Sequence, residues 1–308
     1  MTADHSRSVD WPLSVGPPVW ACDEWADQVY PAGTRRKDFL HWYSRTFNVV
    51  EGNGTFYGVP GESTFQSWAD QAAEGFEFCF KVPRAITHDA MLSNTDVATD
   101  EFVDRLNVVA AAGKLGPTLL QLGPNFSPRY FDPLARFLDR WPADLPIAVE
   151  VRHDDWFDDP NHERPTSIES RLDGLLSDRA ADRVLFDSRA LFAAEPDDPI
   201  ERKSQSRKPN PPPRTTTTGN RPMVRMVGRN QIERCDDYLK SWCKILAEWI
   251  NQGKRPIFFT HAPDDAVAPS LARRLMSFLQ SRLPDYDLTV PSPPPAARSP
   301  IDDQPMLF

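Results

Sequence analysis

The sequence predicts a single α/β domain of the TIM-barrel-like (β/α)8 type, and three observations carry that expectation. Short apolar runs alternate with longer amphipathic ones along the chain, eight of the short runs can be counted, and nearly every one ends in a charged or polar residue. Strand–helix repetition at domain scale implies a parallel sheet covered by helices. Eight strands favour closure over an open sheet, and barrels of this kind gather their functional groups at the C-terminal strand ends. At 308 residues, 40% hydrophobic and with 18 Phe and 9 Trp, the chain is long enough for such a barrel in one domain.

The expected strands, in order, are 12–16, 49–53, 76–81, 118–121, 147–151, 183–186, 223–227 and 256–260. Each is a short run rich in branched or aromatic residues, bounded by turn formers. Between them, residues 36–47, 64–73, 101–114, 133–141, 168–177, 238–252 and 270–282 repeat apolar residues at helical spacing, as in Leu239, Trp242, Leu246 and Trp249. One helix is missing from the series, between the sixth and seventh strands.

The 31 prolines concentrate in that gap and near the carboxyl end. Residues 195–222, within which runs ERKSQSRKPNPPPRTTTTGNRP, hold many Lys and Arg and few apolar groups. Such a composition buries too little surface to offset ordering entropy, so disorder is expected. A tolerated surface insertion and a mobile arm touching polyanions are both consistent with it. The domain is expected to span 13–283, after an N-terminal tail of 1–12 and before a Pro-rich C-terminal tail of 284–308.

The net charge of −9 argues against a protein that coats nucleic acid by bulk electrostatics, although a local basic patch remains compatible with it. Cys22, Cys79, Cys235 and Cys243 show no CxxC spacing, and no apolar run approaches a membrane span. With no apolar signal-peptide core near Met1, a cytoplasmic protein with reduced thiols is the expectation, and no membrane partner.

At the strand ends stand Glu51, Asn53, Thr55 and Tyr57 after the second strand, and Lys81, Thr87, His88 and Asp89 after the third. Gln121 closes the fourth, Glu150, Arg152, His153 and Trp156 follow the fifth, and Asp187 follows the sixth. Arg225 and Arg229 belong to the seventh, His261 and Asp264 to the eighth. Charged groups are disfavoured in barrel strands unless paired or facing a pocket. Structural pairing is the simpler reading of any one of them, for instance Glu51 with Lys81 or Arg225. Together they describe a polar mouth.

Two chemistries fit that mouth. In the first, an enzyme acts on a phosphorylated or otherwise anionic small ligand. Lys81, Arg152, Arg225 and Arg229 hold the anion, and Glu51 or Glu150 serves as general base with His88 or His153 as acid–base partner. Asn53, Tyr57, Gln121, His261 and Asp264 complete the ligand contacts. A metal-dependent variant would draw on His88, Glu150, His153, Asp187, His261 and Asp264, but no HxH or HExxH spacing supports it, and no metal is assigned. The cofactor is unknown, and composition does not decide between enzyme and binding protein.

Six separated segments carry a family resemblance: VVEGNGTFYGVP at 49–60, FKVPRAITHDAML at 80–92, LLQLGPNF at 119–126, AVEVRHDDW at 148–156, VRMVGRN at 224–230 and FFTHAPDDAVAP at 258–269. In this order they resemble the YecE-like family, domain of unknown function 72. The resemblance implies a TIM-barrel-like fold and no established activity. The chain departs from the family pattern in VGPPVW at 15–20, in Gly52 where a branched apolar residue is usual, in Gln121-Leu122-Gly123-Pro124 where a double proline is common, and in His261 and Asp264.

The last five residues, Gln304-Pro305-Met306-Leu307-Phe308, resemble the bacterial sliding-clamp-binding pentapeptide. A Pro-rich tether would present Leu307 and Phe308 to an apolar groove while Gln304 hydrogen-bonds at its rim. With the basic insertion, this makes a nucleic-acid-associated protein recruited to replication or repair the alternative to a small-molecule enzyme.

Overall fold

The computed structural model describes residues 8–159 and 161–294. Eight parallel strands alternate with helices: β1 (Ser14–Gly16), α1 (Phe39–Thr46), β2 (Val49–Gly52), the single turn α2 (Gly54–Tyr57), α3 (Glu62–Gln71), β3 (Glu77–Phe80), α4 (Asp96–Ala111), β4 (Thr118–Gln121), α5 (Phe131–Arg140), β5 (Ile147–Glu150), α6 (Ile168–Asp178), β6 (Asp182–Asp187), α7 (Arg189–Phe192), α8 (Pro199–Gln205), β7 (Met223–Val227), α9 (Asp236–Asn251), β8 (Ile257–His261) and α10 (Ala268–Gln280). All eight expected strands and seven expected helices are present, with ends displaced by a few residues. The largest displacement is at α4, which starts five residues before the expected 101, with Asp96 in its first turn.

Six strands form one parallel sheet in the order β1-β8-β7-β6-β5-β4, and β2 pairs with β3 in a second. The larger sheet curls into a half-barrel. Two devices tie the β2–β3 pair to its ends. Asn48 accepts from the Val15 amide at 2.8 Å and donates to the Leu13 carbonyl at 2.9 Å, replacing ladder bonds between β1 and β2. Beside it the strands run so close that a Cβ on Gly16 would stand 2.1 Å from the Val49 carbonyl oxygen. On the other side, isolated bridges join Phe78 to Leu115 and Lys81 to Leu119.

Besides a small patch of Phe186, Leu191 and Val227, the described residues form two apolar clusters. The larger lies between strands and helices, where α9 contributes Leu239, Trp242 and Leu246 and α10 contributes Leu271, Leu275 and Leu279. The smaller takes Val49, Cys79, Leu119, Ala148, Val184, Met223 and Ile257, one from each of β2 to β8, together with Phe259. Strand side chains two apart share a face. One step toward the C-terminal ends therefore brings Glu51, Lys81, Gln121, Glu150, Phe186 and Arg225 onto the side of the apolar layer. One step the other way stands Glu77, which a two-bond fork from Arg221 holds at 2.8 and 2.5 Å.

Residues 195–222 overturn the expectation of disorder. Asp198 caps α8 by accepting from the Glu201 amide at 2.8 Å, with Pro199 opening the helix. Glu201 is fully buried and takes a charge-assisted bond from Arg229 at 2.7 Å. Further along, Arg214 reaches Glu169 at 2.9 Å, Thr216 meets His162 at 2.9 Å and Thr218 donates to the Ala181 carbonyl at 2.8 Å. The compositional rule weighs apolar burial, whereas ionic and hydrogen bonds to buried partners hold this segment. Its prolines also lower the entropy lost on ordering. At the two ends of the described chain Trp11 is buried, and Leu288 and Val290 pack back on α10, where Arg273 donates to the Val290 carbonyl at 2.7 Å.

Among the described residues no helix is long and apolar enough to cross a membrane, and all four cysteines are unpaired thiols.

Candidate functional site

The layer above the apolar interior brings five of the expected residues into one bonded group. Arg225, from β7, forks onto Glu51, from β2, with Nε to Oε2 at 2.7 Å and Nη2 to Oε1 at 2.6 Å. Its third nitrogen, Nη1, reaches Glu150 Oε2 at 2.5 Å. Arg152 donates to the other oxygen of Glu150 at 2.5 Å, and His261 Nε2 lies 3.1 Å from Glu51 Oε2. Phe186 supplies a ring near both guanidiniums, at 5.2 Å from Arg152 and 5.7 Å from Arg225.

These contacts fix the protonation states. Burial pushes both carboxyls up, but the neighbouring cations override it: Arg225 holds Glu51 well below the usual range, and Arg152 with Arg225 brings Glu150 to about 2. Burial pushes His261 down to about 4 against the pull of Glu51, so it is neutral at neutral pH and donates Nε2–H to that carboxylate. Glu51 and Glu150 are thus bound anions, poorly suited to the role of general base expected from the sequence.

Lys81 differs from the arginines. It is 7% exposed, and its ammonium lies 3.9 Å from the centroid of the Phe56 ring, with no carboxylate in ion-pair contact among the described residues. Burial first, then the repulsion of Arg225 and Arg152, brings its pKa to about 7. Thr55 fixes its backbone by donating to the Lys81 carbonyl at 2.6 Å. Beside it, His88 Nδ1 is 2.8 Å from Thr87 Oγ1, its ring meets Phe56 edge-on at 5.0 Å, and burial lowers it to about 4.

The departures at Gly52 and Gly123 have steric causes here. A Cβ on Gly52 would stand 2.5 Å from the Phe80 ring, and one on Gly123 would stand 2.8 Å from His88. His88 therefore occupies room that a residue larger than glycine at position 123 would take.

Lys208 enters the same field and was missed from the sequence, because it sits in the segment taken for disorder. Half-buried, it is brought to about 8 by burial and then by Arg225 and Arg152. Ser188 pins the chain beside it, donating to the Pro209 carbonyl at 2.8 Å. Nothing periodic marks Arg207-Lys208-Pro209; the one available signal was a basic pair entering a proline run opposite an acidic strand end.

Other expected residues go elsewhere. Gln121 is buried in the cluster's layer, while Asn53 donates to the Pro18 carbonyl at 3.0 Å and fixes the loop after β1. Tyr57 is 84% exposed beside a groove of about 480 Å³ that Arg84, Glu101 and Arg105 also line. His153 and Asp264 cap short turns, accepting from the Asp155 and Ala266 amides at 3.1 and 2.9 Å. Arg229 anchors α8 through Glu201 and so stands apart from the Arg225 group. Asp187 is occupied by Arg189 at 2.8 Å and Trp242 at 2.6 Å. Among the described residues no three His, Cys, Asp or Glu side chains gather as metal ligands. Gln304, Leu307 and Phe308 lie outside the described residues.

Comparison with known proteins gives a consistent result. The family model "Protein of unknown function DUF72" matches residues 14–297. The chain is 33% identical over 273 residues to the UPF0759 protein YecE of Escherichia coli K12, covering 89% of this chain and 94% of that one. It is 26% identical over 147 residues to the UPF0759 protein YunF of Bacillus subtilis, covering 46% and 52%. Crystal structures of DUF72 family proteins from Thermotoga maritima and Enterococcus faecalis each superpose with a TM-score of 0.63, at 20% and 17% identity. The first covers 88% of this chain and 99% of that protein, the second 87% and 95%, and the likeness is one of fold.

Proposed function

The chain belongs to the DUF72 family of proteins of unknown function, and we propose that it binds and acts on a small phosphorylated or otherwise anionic ligand at the strand-end cluster. The eight strands are read here as a TIM-barrel-like arrangement whose C-terminal mouth is this cluster, in a protein working in the cytoplasm.

One observation carries the reading. Lys81 and Lys208 each lie in the field of Arg225, Arg152, Glu51 and Glu150, and Asp265, in the turn after β8, lies in that of Lys208 and Glu51. The arginines are matched by the two glutamates, which leaves the Lys81 ammonium without a carboxylate in contact and Lys208 with no ion pair among the described residues. An unmatched buried ammonium such as that of Lys81 is costly, and an anion bound beside it would relieve that cost. Arg152, 15% exposed against 3% for Arg225, is the guanidinium nearest to solvent and offers free nitrogens to an oxyanion.

Thermal unfolding in a screen of inorganic phosphate, phosphorylated metabolites, carboxylates and oligonucleotides tests this. A phosphate-bearing compound should raise the Tm, with stabilisation of about 2.7 kcal/mol at a hundredfold excess over Kd. Lys81→Ala and Lys208→Ala should each remove most of the rise while leaving the circular dichroism spectrum unchanged. Stabilisation by oligonucleotides alone would instead favour the nucleic-acid reading, and no stabilisation by any anion would sink the proposal.

A further inference from the structure

Resting on the anion site just proposed, we infer that Lys81 is a nucleophile that forms an imine with an aldehyde or ketone carrying a phosphate or carboxylate group. Arg225, Glu51 and Glu150 are locked in one another's bonds, Arg152 is tied to Glu150 through Nε alone, and burial holds His88 and His261 neutral. Lys81 is the one cation here that rests on an aromatic face with no ion pair or hydrogen bond to its ammonium among the described residues. It projects from the C-terminal end of β3, with its backbone fixed at the carbonyl by Thr55. A lysine desolvated by apolar neighbours and set beside other cations is the arrangement that keeps an amine unprotonated and reactive near neutral pH. Burial and the Arg225 and Arg152 charges act on Lys81 in this direction, to about 7.

The step balances without any further reagent. The neutral amine attacks the carbonyl carbon, a C–N bond forms, and the N–H proton passes to the oxygen. The nitrogen lone pair then expels the hydroxyl, which takes one proton from the medium and leaves as water, giving a protonated imine. Glu51 and Glu150 lie in the electrostatic field of Lys81 and favour that cation. Arg152 and Lys208 are left to hold the anionic end of the compound, which selects an anionic over a neutral carbonyl compound.

Pyridoxal 5′-phosphate is a suitable probe, because it carries both groups. The intact protein is incubated with it at pH 7.5, reduced with cyanoborohydride, digested and mapped by mass spectrometry. Lys81 should be the dominant modified lysine, inorganic phosphate should suppress its labelling at least tenfold, and the labelling rate should rise with pH to a midpoint near 7. Lys81→Arg should abolish that adduct. Label spread over exposed lysines with Lys81 unmodified overturns the inference, whether or not the variant folds, since the wild-type map decides it. If phosphate still raises the Tm in that case, the anion site stands and only the imine fails. If phosphate has no effect on Tm or labelling, the anion site fails as well.

Discussion

Arg225 and Glu51, 174 residues apart in sequence, meet as a parallel two-bond fork at 2.6 and 2.7 Å, both side chains almost wholly buried. The pair joins β7 to β2, which belong to different sheets. Breaking a buried pair strands a charge. Glu51→Gln is expected to destabilise by about 3–5 kcal/mol in urea unfolding. The double variant Glu51→Leu, Arg225→Met is expected to lose less than the sum of its singles. Additive losses would show that the two side chains are not coupled.

Lys81 sets a pH dependence whose sign is fixed. Its folded pKa, about 7, lies below the unfolded value of 10.5, so the unfolded chain binds more protons between those limits. Its contribution therefore makes stability rise with pH from about 7 to 10.5 and is flat below 7. Lys81→Met removes that slope. The variant should gain most over wild type at pH 7 in a buffer without phosphate, with the gain shrinking toward pH 10. An equal gain at both values would mean that Lys81 has an ordinary pKa.

Glu150 acts at the acid end. Arg152 and Arg225 outweigh burial and hold its folded pKa at about 2, below the ordinary value of 4.5. The stability this confers is present above 4.5 and is lost as pH falls from 4.5 toward 2. Glu150→Gln should flatten acid denaturation in that window, and an unchanged acid limb would contradict the assigned pairing.

Glu201 ties the inserted segment to Arg229 and to the Asn230 amide at 2.9 Å. Losing a charged hydrogen bond of this kind costs about 1.5–3 kcal/mol. Glu201→Gln should therefore raise the population of the opened segment by roughly tenfold or more. The measurement is trypsin cleavage after Arg207, with phosphate expected to slow it again by engaging Lys208. Cleavage at the wild-type rate would mean that this anchor does not hold the segment.

The carboxyl-terminal pentapeptide gives an expectation that the fold does not touch. A peptide ending in Gln304-Pro305-Met306-Leu307-Phe308 should bind the host's sliding clamp in fluorescence anisotropy, and removal of Met306, Leu307 and Phe308 from the full chain should abolish clamp binding. Absence of binding by the intact chain sinks that idea.

The strands and helices were legible because their signals are local. The apolar run at 118–121 became β4 unchanged, and Leu239, Trp242, Leu246 and Trp249 became the buried face of α9. The same local reading placed Glu51, Lys81, Gln121, Glu150 and Arg225 at the C-terminal end of parallel strands. It erred on Arg229, Asp264 and His153 because a residue just past a strand can turn to cap or anchor the next element, and nothing in its neighbours' types says which. It also missed Lys208, whose place depends on partners such as Ser188 and Glu201 holding a proline-rich chain against the mouth.

Sequence alone determined which residues could face one another, through the period of two that raises charged side chains one step above Val49, Cys79, Ala148 and Met223. Tertiary structure decided what each became. Glu51 and Glu150 are anions locked to arginines, while Lys81, of no less polar type, rests on a phenyl ring with no carboxylate in contact among the described residues. Protonation state follows from burial and the distance to the nearest opposite charge, and both are properties of the folded chain.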